Sequence, residues 1–587
     1  MFTIVQRLQE NVKKALEEIY GRFLSHQQEL LEPEITPATQ AQYGHFQCNN
    51  ALKLAKALKR NPREIAGEIV SYLTPQLGIG MIQKVEIAGP GFINLTLNNQ
   101  FLSKEIEQLL QDPHLGVPSA KKKKRIIVEF SSPNIAKELH VGHLRSTIIG
   151  DALARLFEFL GYDVVRLNHI GDWGTQFGML IAYIKQFEPQ FFAGKKTADL
   201  TQLMQWYRES KRLFDADPHF KKKSQLEVVD LQGGNEAALE AWEMICDISR
   251  RAFNEIYALL DIKIKERGES FYNPYLPEIV GDLEKKGLIT ISNGAKCVFL
   301  EGFTTREGSP LPMIVQKSDG GYNYDTTDMA AMRHRIEIER AERIVIVTDA
   351  GQSLHFEMIR KTAEKAGYLE LQKVQFDHVP FGVVLGPDGK KFKTRSGETE
   401  KLIDLIHEAI AEAKTIFKQR LPNLEEKELE ELSTILGVGA IKYADLSSHR
   451  LKDYVFSYER MLRFEGNTAP FLLYAYVRIQ GIKRKVPKDI PFLIGQTKIE
   501  LLEPAEVDLA FHLLRFGEIL EMMSRDLLPN RLCEYLYELA EKFHAFFRDC
   551  RVEGSEYENS RLLLCEATGR ILEKGLEILG LKTLPKM

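Results

Sequence analysis

The sequence predicts a multidomain α/β protein: a doubly wound parallel sheet, with a small α/β domain before it and an all-α bundle after it. Three observations predict this. Short apolar runs alternate with helical segments from residue 126 to about 410, the pattern of parallel strands joined by crossover helices. Strand-like alternation in MIQKVEIAGPGFINLTLN lies within the first 115 residues. After about 410, helical periodicity runs to the end of the chain. At 587 residues the chain exceeds one compact core, and roughly 100 to 200 residues per domain predicts several units.

Residues 1–115 open on MFTIVQRLQENVKKALEEIYGRF, whose charges recur every few residues. That is an amphipathic helix, and it lacks the uninterrupted apolar centre of a secretory signal. Gly89, Pro90 and Gly91 then punctuate two short strands. The basic run Lys121–Arg125 reads as a solvated linker face ahead of the strand IIVEF.

In the second unit, 116–410, IIVEF leads to the helix around STIIGDALARLFEFLG and then to the strand DVVRLNHIG. RIVIVTDAG is a further strand, followed by the helix HFEMIRKTAEKAG. Between them, about 185–300, charge and helical pattern mark an insertion. A helical connector is expected over 411–460 and a bundle over 461–587. In that bundle Leu532, Tyr535, Leu536, Leu539, Phe543 and Phe546 form one apolar face.

Composition narrows function mainly by exclusion. Hydrophobic residues make up 44% and charged residues 27%, with net charge -4, so nucleic-acid contact would use local basic patches. None of the six cysteines forms a C-x-x-C pair, which argues against a zinc ribbon or a dithiol redox motif. No stretch approaches the roughly 18 apolar residues of a membrane span, so a cytoplasmic protein is expected. No G-x-G-x-x-G sits at a strand-to-helix turn, and no G-x-x-x-x-G-K-[ST] occurs.

The chemistry concentrates in EFSSPNIAKELHVGHLRS, residues 129–146. A strand ends at Phe130, a Ser-Ser-Pro-Asn turn follows, and a helix is expected from near Leu144. Ligands of open α/β sheets bind at such a carboxyl-end crossover. Gly142 would let a flat base approach the backbone. His140 and His143, beside a helix N-terminus, could donate to phosphate oxygens.

These residues resemble the HIGH motif of class I aminoacyl-tRNA synthetases, with valine for isoleucine, and the flank SSPNIAK is similar to the arginyl family in particular. The resemblance implies a Rossmann-like, HIGH-type catalytic domain that binds ATP through His140, Gly142 and His143, with Mg²⁺ accompanying the nucleotide. It implies a second, lysine-bearing loop (K-M-S-K-S in the class) at GPDGKKFKTRSGE. There Lys391, Phe392 and Lys393 take the motif's places, Phe392 replaces methionine, and Thr394 stands where the second lysine is usual. Lys137, just ahead of the histidines, is implied to compensate. Fixed cations are needed because charge accumulates on the departing pyrophosphate.

Recognition of arginine calls for carboxylates against a planar five-donor cation. By resemblance the candidates are Glu129, Tyr324 and Asp328, the last two four apart on an expected helix. Ser132, Asn134 and His140 are placed at the amino-acid end, and Gln352 adds a polar contact. HIGDWGTQFG, with Asp172 and Trp173, is assigned to the catalytic core. The first 110 residues resemble a domain that grips the elbow of tRNA. Phe92 and Asn94 fall on its base-contacting positions, with ordinary strand packing an equal alternative for Phe92. The C-terminal unit resembles an anticodon-binding domain, with Tyr474 and Met587 as candidate contacts. The implied partners are tRNA(Arg) and L-arginine, the implied state a monomer, and the first step is implied to depend on bound tRNA. The rival readings are another class I synthetase, or a tRNA-binding relative with a decayed site.

Overall fold

The computed structural model describes residues 3–77, 80–386, 388–390 and 401–587. The first helix, Ile4–Tyr20, begins where Thr3 accepts from the Gln6 N–H and Gln6 returns the bond to the Thr3 N–H. Its buried face carries Ile4, Leu8, Val12 and Leu16. The two predicted strands are Ile82–Ala88 and Phe92–Leu97, an antiparallel hairpin with Ala88 opposite Phe92. Ile35–Pro37 and Phe46–Cys48 complete a four-stranded sheet; three residues each is too short for alternation to register in the sequence.

The central sheet contains β1 (Arg125–Glu129), β2 (Asp163–Asn168), β3 (Lys265–Glu266), β4 (Arg343–Asp349) and β5 (Gln375–Phe381). All neighbours are parallel, in the order β5-β4-β1-β2-β3. Strand β1 is central, and Ile126, Ile127, Val128 and Glu129 are all buried. The chain leaves β1 through helix α1 (Val141–Phe159) to β2 on one side, while β4 flanks it on the other. Their carboxyl ends therefore splay around a crevice, the position at which such sheets hold ligands.

The stretch around 185–300 is helical in Leu200–Ala216, Pro218–Gln232 and Glu236–Leu259. It is not only an insertion, however, since β3 of the central sheet lies within it. The long strand Ala295–Thr304 pairs there with Thr290–Ser292 and Pro310–Gln316 in a separate antiparallel sheet. A two-residue strand leaves no periodic trace, so the sequence could not separate β3 from its surroundings.

Helices α2 (Tyr324–Glu337) and α3 (Ser353–Lys365) flank β4 in sequence, and Leu402–Arg420 and α4 (Glu426–Leu446) follow. The C-terminal unit is wholly helical, with Ala469–Lys485, Asn530–Asp549 and Glu558–Ile578 as its long members. The apolar face predicted around Leu532 and Phe546 is buried at every position named above. Lys442 of α4 is buried too, and its ammonium donates to the carbonyls of Leu260 and Gly580, tying three distant segments together.

Candidate active site

The turn after β1 is held in a costly shape. Ser131, Ser132 and Ala136 adopt φ of 68°, 48° and 59°, left-handed values uncommon for residues with a Cβ and sustained only where the surroundings enforce them. Here they do. The Ser131 N–H donates to Ser146 Oγ (2.9 Å), which itself donates to the Val347 carbonyl (2.6 Å). The Ser132 N–H donates to Asn168 Oδ1 (2.9 Å), and the Ala136 N–H to Ser249 Oγ (3.0 Å). Tyr257 joins the set through Ser131 Oγ and Asn168 Nδ2. Helix α1 then passes directly over the strand end. A Cβ at Gly150 would fall 2.2 Å from that of Phe130.

The helix starts at Val141, not near Leu144, because His140 is its N-cap. The Gly142 N–H donates to His140 Nδ1 (3.0 Å), and the His140 N–H donates to His143 Nδ1 (3.2 Å). Histidine is not among the usual capping residues, which is why the sequence placed the start late. Gly142 has a role the sequence did not reveal: a Cβ there would meet His140 Cε1 at 2.8 Å, so the missing side chain makes room for the capping ring. Burial, with the charge of Lys137 second, lowers His140 below the usual histidine range. His143 is driven to about 3 by burial, then by His140 and Lys137. Both rings are therefore neutral at neutral pH. Since each Nδ1 accepts a backbone N–H, each proton resides on Nε2. Two N–H donors, rings 4.1 Å apart, stand at the positive end of a helix, as a triphosphate requires.

Lys137 is exposed beside them. Lys391, Phe392 and Lys393 lie outside the described residues. Their flanks do not: Leu402 N–H donates to the Leu139 carbonyl (2.9 Å), and Lys401 pairs with Glu138 at 2.8 Å. On the other flank the Gly382 carbonyl accepts from Arg145 NH1 (2.8 Å). Arg145 is fully buried, pairs with Asp445 of α4 at 3.2 Å, and also donates to the Lys452 carbonyl. The segment holding the histidines is thus fastened to both sides of the lysine-bearing stretch.

A second, acidic centre lies just beyond the carboxyl end of β2. Asn134 bridges to Gly171, and nearby His169 Nε2 lies 3.7 Å from Asp328 Oδ1. Ser132 and Asn134 are thus held to Asn168 and Gly171, on either side of the His169 that faces Asp328. Asp328 and Tyr324 share the first turns of α2, as their spacing predicted, and Tyr324 remains 59% exposed. Gln352 is also exposed, immediately before α3.

Glu129, expected to face a substrate guanidinium, is buried and its Oε2 pairs with the buried Arg335 of α2.

Three acidic-centre residues were missed. His355 lies between two carboxylates, Nε2 to Asp328 Oδ2 at 2.6 Å and Nδ1 to Asp325 Oδ1 at 3.1 Å. The spacing of Asp325 and Asp328 in YDTTD was a readable signal. Glu269 was not readable, since it opens a short 3₁₀ helix, Glu269–Tyr275, whose place is set by tertiary contact. Burial, then Asp328 and Asp172, raise it to about 8. Asp172, singled out earlier only as core, holds that helix by accepting from the Ser270 N–H (2.8 Å) and Oγ (2.6 Å).

The remaining candidates lie elsewhere. Phe92 is half-buried on its hairpin, while Asn94 is 5% exposed and its Oδ1 accepts from Gln47. Tyr474 is half-buried, and its hydroxyl accepts from Arg478 (3.0 Å). Met587 packs partly against the core.

Comparison with known proteins matches this arrangement in three consecutive pieces. Residues 6–97 match the arginyl tRNA synthetase N terminal domain, 105–458 the catalytic domain of class I (R) tRNA synthetases, and 472–587 the DALR anticodon binding domain. The chain is 62% identical to an arginine–tRNA ligase of Protochlamydia amoebophila, over 95% of each chain. It is 50% identical to that of Nostoc punctiforme over 99% of each. Among solved structures, arginyl-tRNA synthetase from Plasmodium falciparum superposes with a TM-score of 0.85 at 34% identity, each chain covered in full.

Proposed function

The chain belongs to the arginyl-tRNA synthetase family of class I, and from that premise we propose a division of labour among its residues. The protein attaches L-arginine to the 3′-terminal adenosine of tRNA(Arg) through an arginyl-adenylate, for translation. ATP is the family's substrate. The arginine carboxylate attacks the α-phosphorus and pyrophosphate departs. The terminal adenosine's 2′-hydroxyl then attacks the adenylate carbonyl, and AMP departs.

In our reading the Nε2–H groups of His140 and His143 hold phosphate oxygens as charge builds on them. Lys137, Lys391 and Lys393 supply the cations. Phe392 and Gly142 complete the ATP contacts. These groups position and neutralise, and none forms a covalent bond. Asp328 receives the guanidinium with Tyr324, and Glu269 is a second carboxylate for it. Ser132, Asn134 and His140 take the amino-acid end, Gln352 adds a polar contact, and Glu129 is a further carboxylate toward the guanidinium. Among the described residues no group of three or more His, Cys, Asp or Glu is arranged to hold a metal, so Mg²⁺ is proposed only as the ion accompanying ATP.

Residues 1–115 are proposed to grip the tRNA elbow, with Phe92 stacking on an unpaired base and Asn94 beside it. Residues 461–587 would read the anticodon through Tyr474 and Met587, with 411–460 linking them to the catalytic unit at 116–410. Adenylate formation that waits for bound tRNA, a monomer and a cytoplasmic location complete the proposal; no described helix is long and apolar enough to cross a membrane.

The observation that carries this reading is the presence of two neutral Nε2–H donors at the helix N-terminus after β1 and of a carboxylate cluster just beyond the neighbouring β2. ATP–pyrophosphate exchange, run with each amino acid plus bulk tRNA, tests it. Arginine alone should support exchange; exchange with glutamate instead would overturn the assignment.

A further inference from the structure

His355 belongs to no role derived so far, yet its surroundings are unusual. Both of its ring nitrogens face carboxylate oxygens, Nε2 that of Asp328 (2.6 Å) and Nδ1 that of Asp325 (3.1 Å). A neutral imidazole has one N–H and one lone pair, so against two carboxylates one nitrogen would point a lone pair at an anion. Only the imidazolium satisfies both. We infer that His355 is a resident cation in the free enzyme, displaced from Asp328 by the entering guanidinium, and that its proton is released to water.

This rests on the reading that Asp328 receives the guanidinium. Bidentate contact needs both oxygens of Asp328, one of which, Oδ2, His355 now holds. Two full cations sharing one carboxylate would repel. If the imidazolium loses its proton, the charge of Asp325, Asp328 and His355 plus substrate stays at the value it had before arginine entered. A neutral His355 still keeps one N–H for Asp325, so the pocket remains wired.

The neighbouring groups agree. Burial opposes charge on His355, but hydrogen bonds to Asp325 and Asp328 and their charges hold it up at about 9. Tyr324 lies edge-on at 5.1 Å. His169 faces the other oxygen of Asp328. His378, beyond Phe356, is pushed to about 4 by burial and Arg450, and so contributes no charge at neutral pH. Behind Asp328, Arg335 is held firmly cationic by Glu129 despite burial. Glu269, raised to about 8, would also ionise beside a guanidinium, so the two origins of a proton must be separated.

Calorimetric titration of arginine into the intact chain, in buffers of different ionisation enthalpy at about pH 7.5, counts the protons released. The expected result is release by the wild type that is largely lost in His355→Gln. In aminoacylation, KM for arginine should fall by up to about tenfold per pH unit between about pH 6.5 and 8.5, kcat at saturating arginine should not, and H355Q should flatten the slope. Citrulline, the uncharged isostere, should release nothing. Binding of arginine without proton release overturns the inference. So does release unchanged in H355Q, which would assign the proton to Glu269. Failure of arginine to bind at all would instead overturn the functional reading. Should H355Q not fold, ¹⁵N-histidine spectra of the wild type decide: arginine must convert one imidazolium to a neutral ring, and an unchanged set of charge states refutes the idea.

Discussion

The ends proposed to hold phosphate and guanidinium are both built around histidine, in opposite charge states. At the first, His140 and His143 each accept a backbone N–H on Nδ1, and burial lowers both. At the second, His355 meets carboxylates on both nitrogens and is raised. Burial opposes the charged form in all three rings. What differs is the partner: a backbone donor fixes a neutral tautomer, while a carboxylate pair fixes a cation. The proposed ends are thereby suited in advance to an anionic and a cationic group.

Substitutions can break the contrast one end at a time. Asp328→Asn should have the largest effect, lowering kcat/KM for arginine by ~10³-fold or more, since a buried charge partner is removed. KM for ATP should hardly move; a matching rise there would mean the two ends are not separable. His143→Ala comes next, with kcat down ~10²- to 10³-fold from loss of one charge-stabilising donor. Retained tRNA binding would confirm that the defect is chemical, and unchanged charging would remove His143 from the reaction. Gly142→Ala is milder, raising KM for ATP ~10-fold as the new Cβ displaces the His140 ring.

The smallest effect is on stability, and its sign differs between the ends. His143, neutral when folded down to about 3, cannot take the proton that the unfolded chain binds below its ordinary value of 6.5. It therefore destabilises the fold increasingly as pH falls from there. His355, raised to about 9, stabilises fully below 6.5, and that contribution is lost as pH rises through 9. Melting at about pH 5.5, 7.5 and 9.5 should show His143→Gln relieving the acid side and His355→Gln losing stability on the acid and neutral side, each by a few degrees or less. Parallel shifts in the two variants would contradict the opposed charge states.

Much of this was legible beforehand, for identifiable reasons. Strands β1, β2 and β4 are long and apolar enough to read, and the bundle face at Leu532 to Phe546 follows helical period. His140, Gly142 and His143 are close neighbours in sequence, as are Tyr324 and Asp328. What escaped was whatever depends on remote segments meeting. Strand β3 has two residues. Glu269 reaches Asp328 only through a turn pinned by Asp172. The pairing of Glu129 with Arg335 joins a strand to a helix far along the chain. No spacing rule announces that the carboxylate ending β1 will meet a resident guanidinium.

Arg145 carries a consequence for synthesis. Its guanidinium sits in the helix that displays the histidines, yet its partners are the carbonyls of Gly382 and Lys452 and the carboxylate of Asp445. While the chain is still being made, this cation lacks part of its set until Gly382, Asp445 and Lys452 have all emerged, and its burial is incomplete without them. A nascent polypeptide stopped before residue 452 therefore holds its catalytic helix loosely, and activity should emerge late in translation, when the last of those partners leaves the ribosome.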